Sequence, residues 1–169
     1  MKAVIAVLLL SCANLAFAKE DCSFKALDLD ESSNIAEILF YTGTCHYRNE
    51  DYVLAVKNWS ELSALENVDP EYEELQIDTL NNLGYMKFFG YGTAEDKDTA
   101  LDYWKKAVLL GHLESEYHLC HAYADKEEPT YHLAKARKHC KKALLIYKGM
   151  ESTDQEILDQ IEEYNSQVN

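Results

Sequence analysis

Six side chains in the last third of the chain are of types that ligate metals or form covalent bonds. His118, Cys120 and His121 fall within "HLCH", His139 and Cys140 are adjacent, and His132 lies one heptad before His139. Histidine and cysteine facing each other across a helical hairpin are donors for zinc or copper. The same two cysteines can instead join in a disulfide. The pattern holds no Cys-x-x-Cys pair, and an oxidising compartment consumes free thiols. The histidines therefore read as structural, with no metal or other cofactor expected. A metal-binding or enzymatic use of His118, His121 and His139 stands as the alternative.

Other chemistry is thin. No serine sits in a nucleophile-elbow sequence, and "GYG" at 90–92 belongs to neither a GxxxxGK[ST] nor a GxGxxG phosphate loop. The acidic run Glu71–Glu74 reads as a solvated helix face. Asn58-Trp59-Ser60 is formally a glycosylation sequon, but it falls mid-helix beside a tryptophan expected in the core. With 30 acidic against 16 basic residues and a net charge of −14, the chain is ill suited to nucleic acid or an anionic membrane surface. Its charge favours solubility and, as partner, a cationic protein.

The N-terminus carries an export pattern: Lys2, an apolar run, then the small-x-small site Ala16-Phe17-Ala18. A signal peptide over residues 1–18 is expected, with a periplasmic mature protein. In a competing reading Cys12 is the acylated residue of a lipoprotein leader, against which the stretch before it is short and Leu10 fits poorly. Beyond the leader no stretch is apolar enough to cross a membrane, so no membrane insertion is expected after cleavage. Four cysteines remain, Cys22, Cys45, Cys120 and Cys140. An even count in an exported chain implies two disulfides, and four cysteines allow three pairings.

The elements that must position these residues are helices in a repeat. Leu83/Leu119, Ala100/Ala136, Ala107/Ala143 and the Lys105-Lys106/Lys141-Lys142 pairs all recur at 36 positions. An earlier copy matches at 45: Asp51/Asp96, Ala55/Ala100 and Trp59/Trp104, with Ile38 falling on Leu83. An insertion around "ENVDPEYEE" accounts for the longer spacing. Such a period with small residues at fixed offsets marks stacked helix pairs. Ala100, Trp104, Ala107 and Gly111 step by helical intervals and share one face, with Gly111 a natural C-cap. Asp69-Pro70 is a helix start, and Thr153 with Glu156 has capping-box spacing for a last helix. Seven helices are expected, over about 33–43, 50–66, 70–89, 96–110, 114–125, 130–148 and 153–165. Residues 19–169 then form one all-α domain.

Residues Leu83 to Ser115 resemble a Sel-one-like repeat, a relative of the tetratricopeptide repeat. Leu83, Gly84, Gly90, Gly92, Asp96, Ala100, Tyr103, Trp104, Ala107 and Gly111 carry the likeness. Lys87 stands where the family usually has tyrosine. The copy from Ser115 to Ile146 replaces the glycine loop by "DKEEP", and the first copy keeps Asp51, Ala55 and Trp59 but lacks the Leu-Gly pair. The resemblance implies a short right-handed solenoid of about three antiparallel helix hairpins plus a C-terminal capping helix. It also implies a noncatalytic protein-binding scaffold.

In the register of these copies Cys120 and Cys140 occupy the positions of Gly84 and Trp104, which pairs them with each other. Cys22 and Cys45 are left as the second bridge, with Cys45 placed in the turn position of Gly90. His121 and His139 become replacements for Tyr85 and Tyr103. Because the first helix of each hairpin lines the inner curve in similar solenoids, the candidate partner-binding set is Asn82, Tyr85, Met86, Phe89, Tyr117, His118 and His121. Tyrosine, present twelve times, supplies interface area at small entropic cost. The expected role is an adaptor or regulator of envelope proteins, or an immunity protein neutralising a basic secreted effector of the type VI kind.

Overall fold

The computed structural model describes residues 19–169. The expected signal peptide, residues 1–18 with Cys12, lies outside the described residues. Those described are all-helical, with no strand: α1 (Ile35–Arg48), α2 (Tyr52–Ser63), a 3-10 turn (Pro70–Tyr72) running into α3 (Glu73–Phe89), α4 (Lys97–Leu109), α5 (Glu114–Ala124), α6 (Leu133–Gly149) and α7 (Gln155–Val168). Contacts are densest within the pairs α1–α2, α3–α4 and α5–α6, and α7 closes the stack against α6 and α5. None of the described helices is long and apolar enough to cross a membrane.

Local chemistry sets the boundaries. Asn34 opens α1 with a full capping box, its side chain accepting from Ala36 N while Glu37 reaches back to the Asn34 N–H. Asp69 caps the 3-10 turn through Glu71 N, and Asp96 caps α4 through Thr99 N. Gly90 ends α3 in the left-handed conformation, φ 71°. The last helix departs from expectation by one residue. Asp154, not Thr153, accepts from Glu156 N and Ile157 N, while the Thr153 hydroxyl donates to the Tyr147 carbonyl and secures the end of α6.

The predicted inner face of α4 is buried: Ala100, Trp104 and Ala107 are all fully enclosed. Trp104 lies against Gly84 so closely that a Cβ on that glycine would sit 2.4 Å from the indole Nε1. In the following hairpin the same two positions hold a bridge, Cys120–Cys140, with α-carbons 4.5 Å apart. The second bridge is Cys22–Cys45, with α-carbons at 5.8 Å. These bridges are covalent chemistry of an oxidising environment.

The first hairpin corrects the sequence reading. Gly43 faces Trp59, a Cβ there meeting the indole at 2.7 Å, so the glycine of the repeat is present and Thr42 stands in place of its leucine. Leu83 therefore corresponds to Thr42 and not to Ile38. The turn between α1 and α2 is four residues shorter than that between α3 and α4, which brings Gly43 four residues closer in sequence to its tryptophan and hid the match. Cys45 accordingly sits inside α1, fully buried, and not in a turn. The bridge, the Arg48–Glu20 ion pair and the two hydrogen bonds between Asn49 and Glu20 tie the N-terminal segment along the end of α1.

Candidate binding groove

The first helices of the three hairpins, α1, α3 and α5, meet along one concave side. A cavity of about 380 Å³ opens there, lined by Thr44 and Tyr47 from α1, Trp59 from α2, Asn81, Asn82, Tyr85 and Met86 from α3, and Glu114 and His118 from α5. Four of the seven expected contact residues thus come together: Asn82, Tyr85 and His118 line it, with wholly buried Met86 beneath.

The other three lie elsewhere. Phe89 is exposed beside the cavity, its ring 4.8 Å from that of Tyr85 and stacked 5.8 Å from Tyr91. Tyr117 and His121 are engaged by the capping helix. The Tyr117 hydroxyl donates to Gln160, and His121 Nδ1 lies 2.9 Å from the Tyr164 hydroxyl. Burial lowers the His121 pKa and raises that of Tyr164 to about 12, so both stay neutral at pH 7. The alternative use of His118, His121 and His139 finds no shared centre. His118 stacks on Trp104 at 4.9 Å, His121 faces α7, and His139 bonds Glu116. Cys120 and Cys140 bond each other, and among the described residues no group of three or more His, Cys, Asp or Glu side chains is arranged around a metal position.

Polar contacts hold the groove's floor. The Trp104 indole N–H donates to the Asn81 carbonyl (3.1 Å), and the Ser115 hydroxyl donates to the Asn81 side chain (2.8 Å), joining α4, α3 and α5. The Ser115 N–H donates to His112 Nδ1, which leaves Nε2 to face Asp78 at 3.4 Å. Burial lowers the His112 pKa and raises that of Asp78. At the rim, Glu114 Oε1 lies 3.6 Å from His118 Nε2, and this contact holds the Glu114 carboxyl below the ordinary range despite partial burial. Burial pushes the Tyr85 hydroxyl up to about 12 and raises Tyr47 as well, so the tyrosines offer neutral hydroxyls and ring faces.

One buried group on this side has no partner. Trp59 is 2 % exposed and its Nε1 makes no hydrogen bond. Trp104, its equivalent, donates to the carbonyl three residues before Gly84. The corresponding carbonyl before Gly43 is that of Phe40, and it accepts the Thr44 hydroxyl instead (2.8 Å).

Sequence reasoning missed Thr44, Tyr47, Trp59, Asn81 and Glu114 as lining residues. Tyr47 was out of reach once α1 was ended at 43. Glu114 had a usable signal, since it precedes His118 by four residues and so shares its face.

The site is an aromatic groove with one carboxylate, Glu114, at its rim, assembled across the hairpins of an all-helical stack. Comparison of the chain with family models, curated proteins and solved structures finds no match.

Proposed function

We propose that the chain is an exported, noncatalytic binding protein built from Sel-one-like repeats, whose inner groove captures a basic segment of a protein partner in the periplasm. The observation that carries this reading is the lining itself. Tyr47 and Tyr85 present aromatic walls, ionised Glu114 stands at the rim, and all three hairpins contribute. Aromatic faces beside a carboxylate suit a lysine or arginine side chain, by cation–π attraction and charge pairing. A chain of net charge −14 also draws a cationic partner over distance. The two bridges fit an oxidising compartment, and the periplasm is the one the leader pattern favours.

Two biological uses share this geometry: organising envelope proteins, and neutralising a basic secreted effector. Pull-down from periplasm at low and then high salt tests the shared core. The expected result is a basic protein retained at low salt, released at high salt, and lost with Tyr85→Ala or Glu114→Lys. Absence of any such protein, or its undiminished retention by both variants, overturns the proposal. Protection of cells from a hydrolase encoded beside this gene selects the immunity use, and failure to protect selects the organising one.

A further inference from the structure

The Lys-Lys-Ala-apolar-Leu run that recurs in α4 and α6 is not accounted for by the inner groove. In both copies the alanine, Ala107 or Ala143, is fully buried, as the packing of helix pairs requires. The leucine two residues on is not. Leu109 is 86 % exposed and Leu145, its equivalent, 68 %, with Leu110 and Leu113 half-exposed beside them. The repeat thus sets apolar side chains in water at matching positions on the outer, second helices.

The surrounding charge is opposite to that of the rest of the molecule. Helix α6 carries Lys135, Arg137, Lys138, Lys141, Lys142 and Lys148 and no acidic residue, in a chain of net charge −14. Lys142 is paired with Glu116 and Lys148 with Glu162. Lys106, Lys135, Lys138 and Lys141 make no ion pair among the described residues, and the Lys135 ammonium lies over the Tyr123 ring at 5.0 Å. Between α4 and α6, over α5, lie two adjoining depressions of about 340 Å³ each. One has Leu113, Leu145 and Ile146 in its lining, the other Leu109, Lys135 and Lys138, and Val108, Glu116 and Lys142 border both. The one carboxylate at their floor, Glu116, is already satisfied by His139 and Lys142.

We propose that this outer face of the last two hairpins docks an acidic amphipathic helix of a partner protein. It is a second interaction surface, separate from the inner groove and of opposite preference. Two adjoining hollows that share Val108, Glu116 and Lys142 can take neighbouring apolar side chains from one face of a helix laid across them. The exposed leucines supply apolar contact, and the unpaired lysines at the edges select carboxylates flanking the knobs. A flat anionic bilayer offers no knobs for the hollows, and the net negative charge of the chain opposes its approach.

The test uses the whole mature chain and a labelled synthetic helix of about 18 residues, leucine at i, i+4, i+7 and i+11 with glutamate flanking, read by fluorescence anisotropy. Saturable binding is expected, weakened by salt and at least about tenfold tighter than for the same peptide with lysine in place of glutamate. The double variants Leu109→Ser/Leu145→Ser and Lys135→Glu/Lys138→Glu should each weaken it about tenfold or more. All four residues project at the surface, and unchanged melting temperatures verify that the variants are folded. No binding, equal binding of the lysine peptide, or equal binding by folded variants overturns the proposal. So does sedimentation with phosphatidylglycerol vesicles that these variants abolish, which assigns the face to a lipid surface.

Discussion

The middle and last hairpins solve one packing problem in two ways. Between α3 and α4 a glycine leaves room for an indole, and Trp104 fills it while donating to the Asn81 carbonyl. Between α5 and α6 both positions are cysteine, and a covalent bond takes the place of the filled volume. Neighbouring positions change in step. Leu80 and Tyr103 of the middle hairpin are replaced, 36 residues on, by Glu116 and His139, which hydrogen-bond each other. A leucine and a tyrosine have given way to a hydrogen-bonded polar pair, and a noncovalent hairpin to a cross-linked one. Stability of the middle unit should therefore depend on volume, and that of the last on redox state and pH.

The largest expected effect breaks the middle unit. Trp104→Ala removes a fully buried ring that touches Phe88 and His118, and should cost about 3–5 kcal/mol. Urea unfolding followed by circular dichroism measures it, and a loss below about 1 kcal/mol would mean that the stack does not depend on this ring. Next is the last unit. Cys120→Ala/Cys140→Ala opens a loop of sequence separation 20, for which the chain-entropy model gives about 3 kcal/mol. Dithiothreitol opens Cys22–Cys45 as well, so reduction should cost the wild type more than the double variant, by the same amount that the substitution costs under oxidising conditions. Intact mass before and after alkylation checks that both bridges are closed in the purified protein.

The first hairpin sharpens the comparison further. Gly84→Ala forces a Cβ into the Trp104 ring, which cannot retreat without losing its hydrogen bond, at a cost of about 1–3 kcal/mol. Gly43→Ala makes a similar clash with Trp59, but that indole has no hydrogen bond to lose and borders the groove cavity. It should cost less than Gly84→Ala in parallel denaturant titrations. Equal costs would show that the clash alone, and not the anchoring of the indole, decides the penalty.

How much of this was legible depended on whether spacing stayed constant. Between the second and third copies it did, so aligning Gly84 with Cys120 and Trp104 with Cys140 placed a bridge where the structure has one. The first copy defeated the same reasoning because two changes oppose each other. Its hairpin turn is four residues shorter, while the run from its tryptophan to the next repeat glycine, Trp59 to Gly84, is nine residues longer than that from Trp104 to Cys120, so its two helices align with the next pair at different offsets. The groove was half legible for a related reason. Helical periodicity puts Asn82, Tyr85 and His118 on the inner side, but it cannot show that α7 folds back over Tyr117 and His121. That contact is made between helices far apart in sequence, by Gln160 and Tyr164, and no local pattern encodes it.

The smallest effect, and the one that isolates the polar character of the last hairpin, is in its pH dependence. Burial opposes the charge of Glu116, but hydrogen bonds from His139 and Lys142 outweigh it and hold the carboxyl below the ordinary glutamate range. Its contribution is therefore complete above the unfolded-state value, about 4.3, and is lost as pH falls through the lower folded value. His121 acts in a higher window. Burial lowers its folded pKa, so the unfolded chain takes up the proton first, and stability begins to fall as pH drops below about 6.5. Unfolding free energies measured from pH 7 to pH 3 should thus decline in two stages. His121→Gln, which keeps a partner for Tyr164 without titrating, should reduce the upper stage only, and His112, whose pKa burial also lowers, supplies what remains of it. Glu116→Leu/His139→Tyr, which installs the residues of the middle hairpin, should reduce the lower one, to which Glu114 also contributes, and leave the upper in place. A lower stage undiminished in that double variant would assign acid sensitivity to carboxylates elsewhere, and the polar pair of the last hairpin would then be a packing substitute with no part in the pH response.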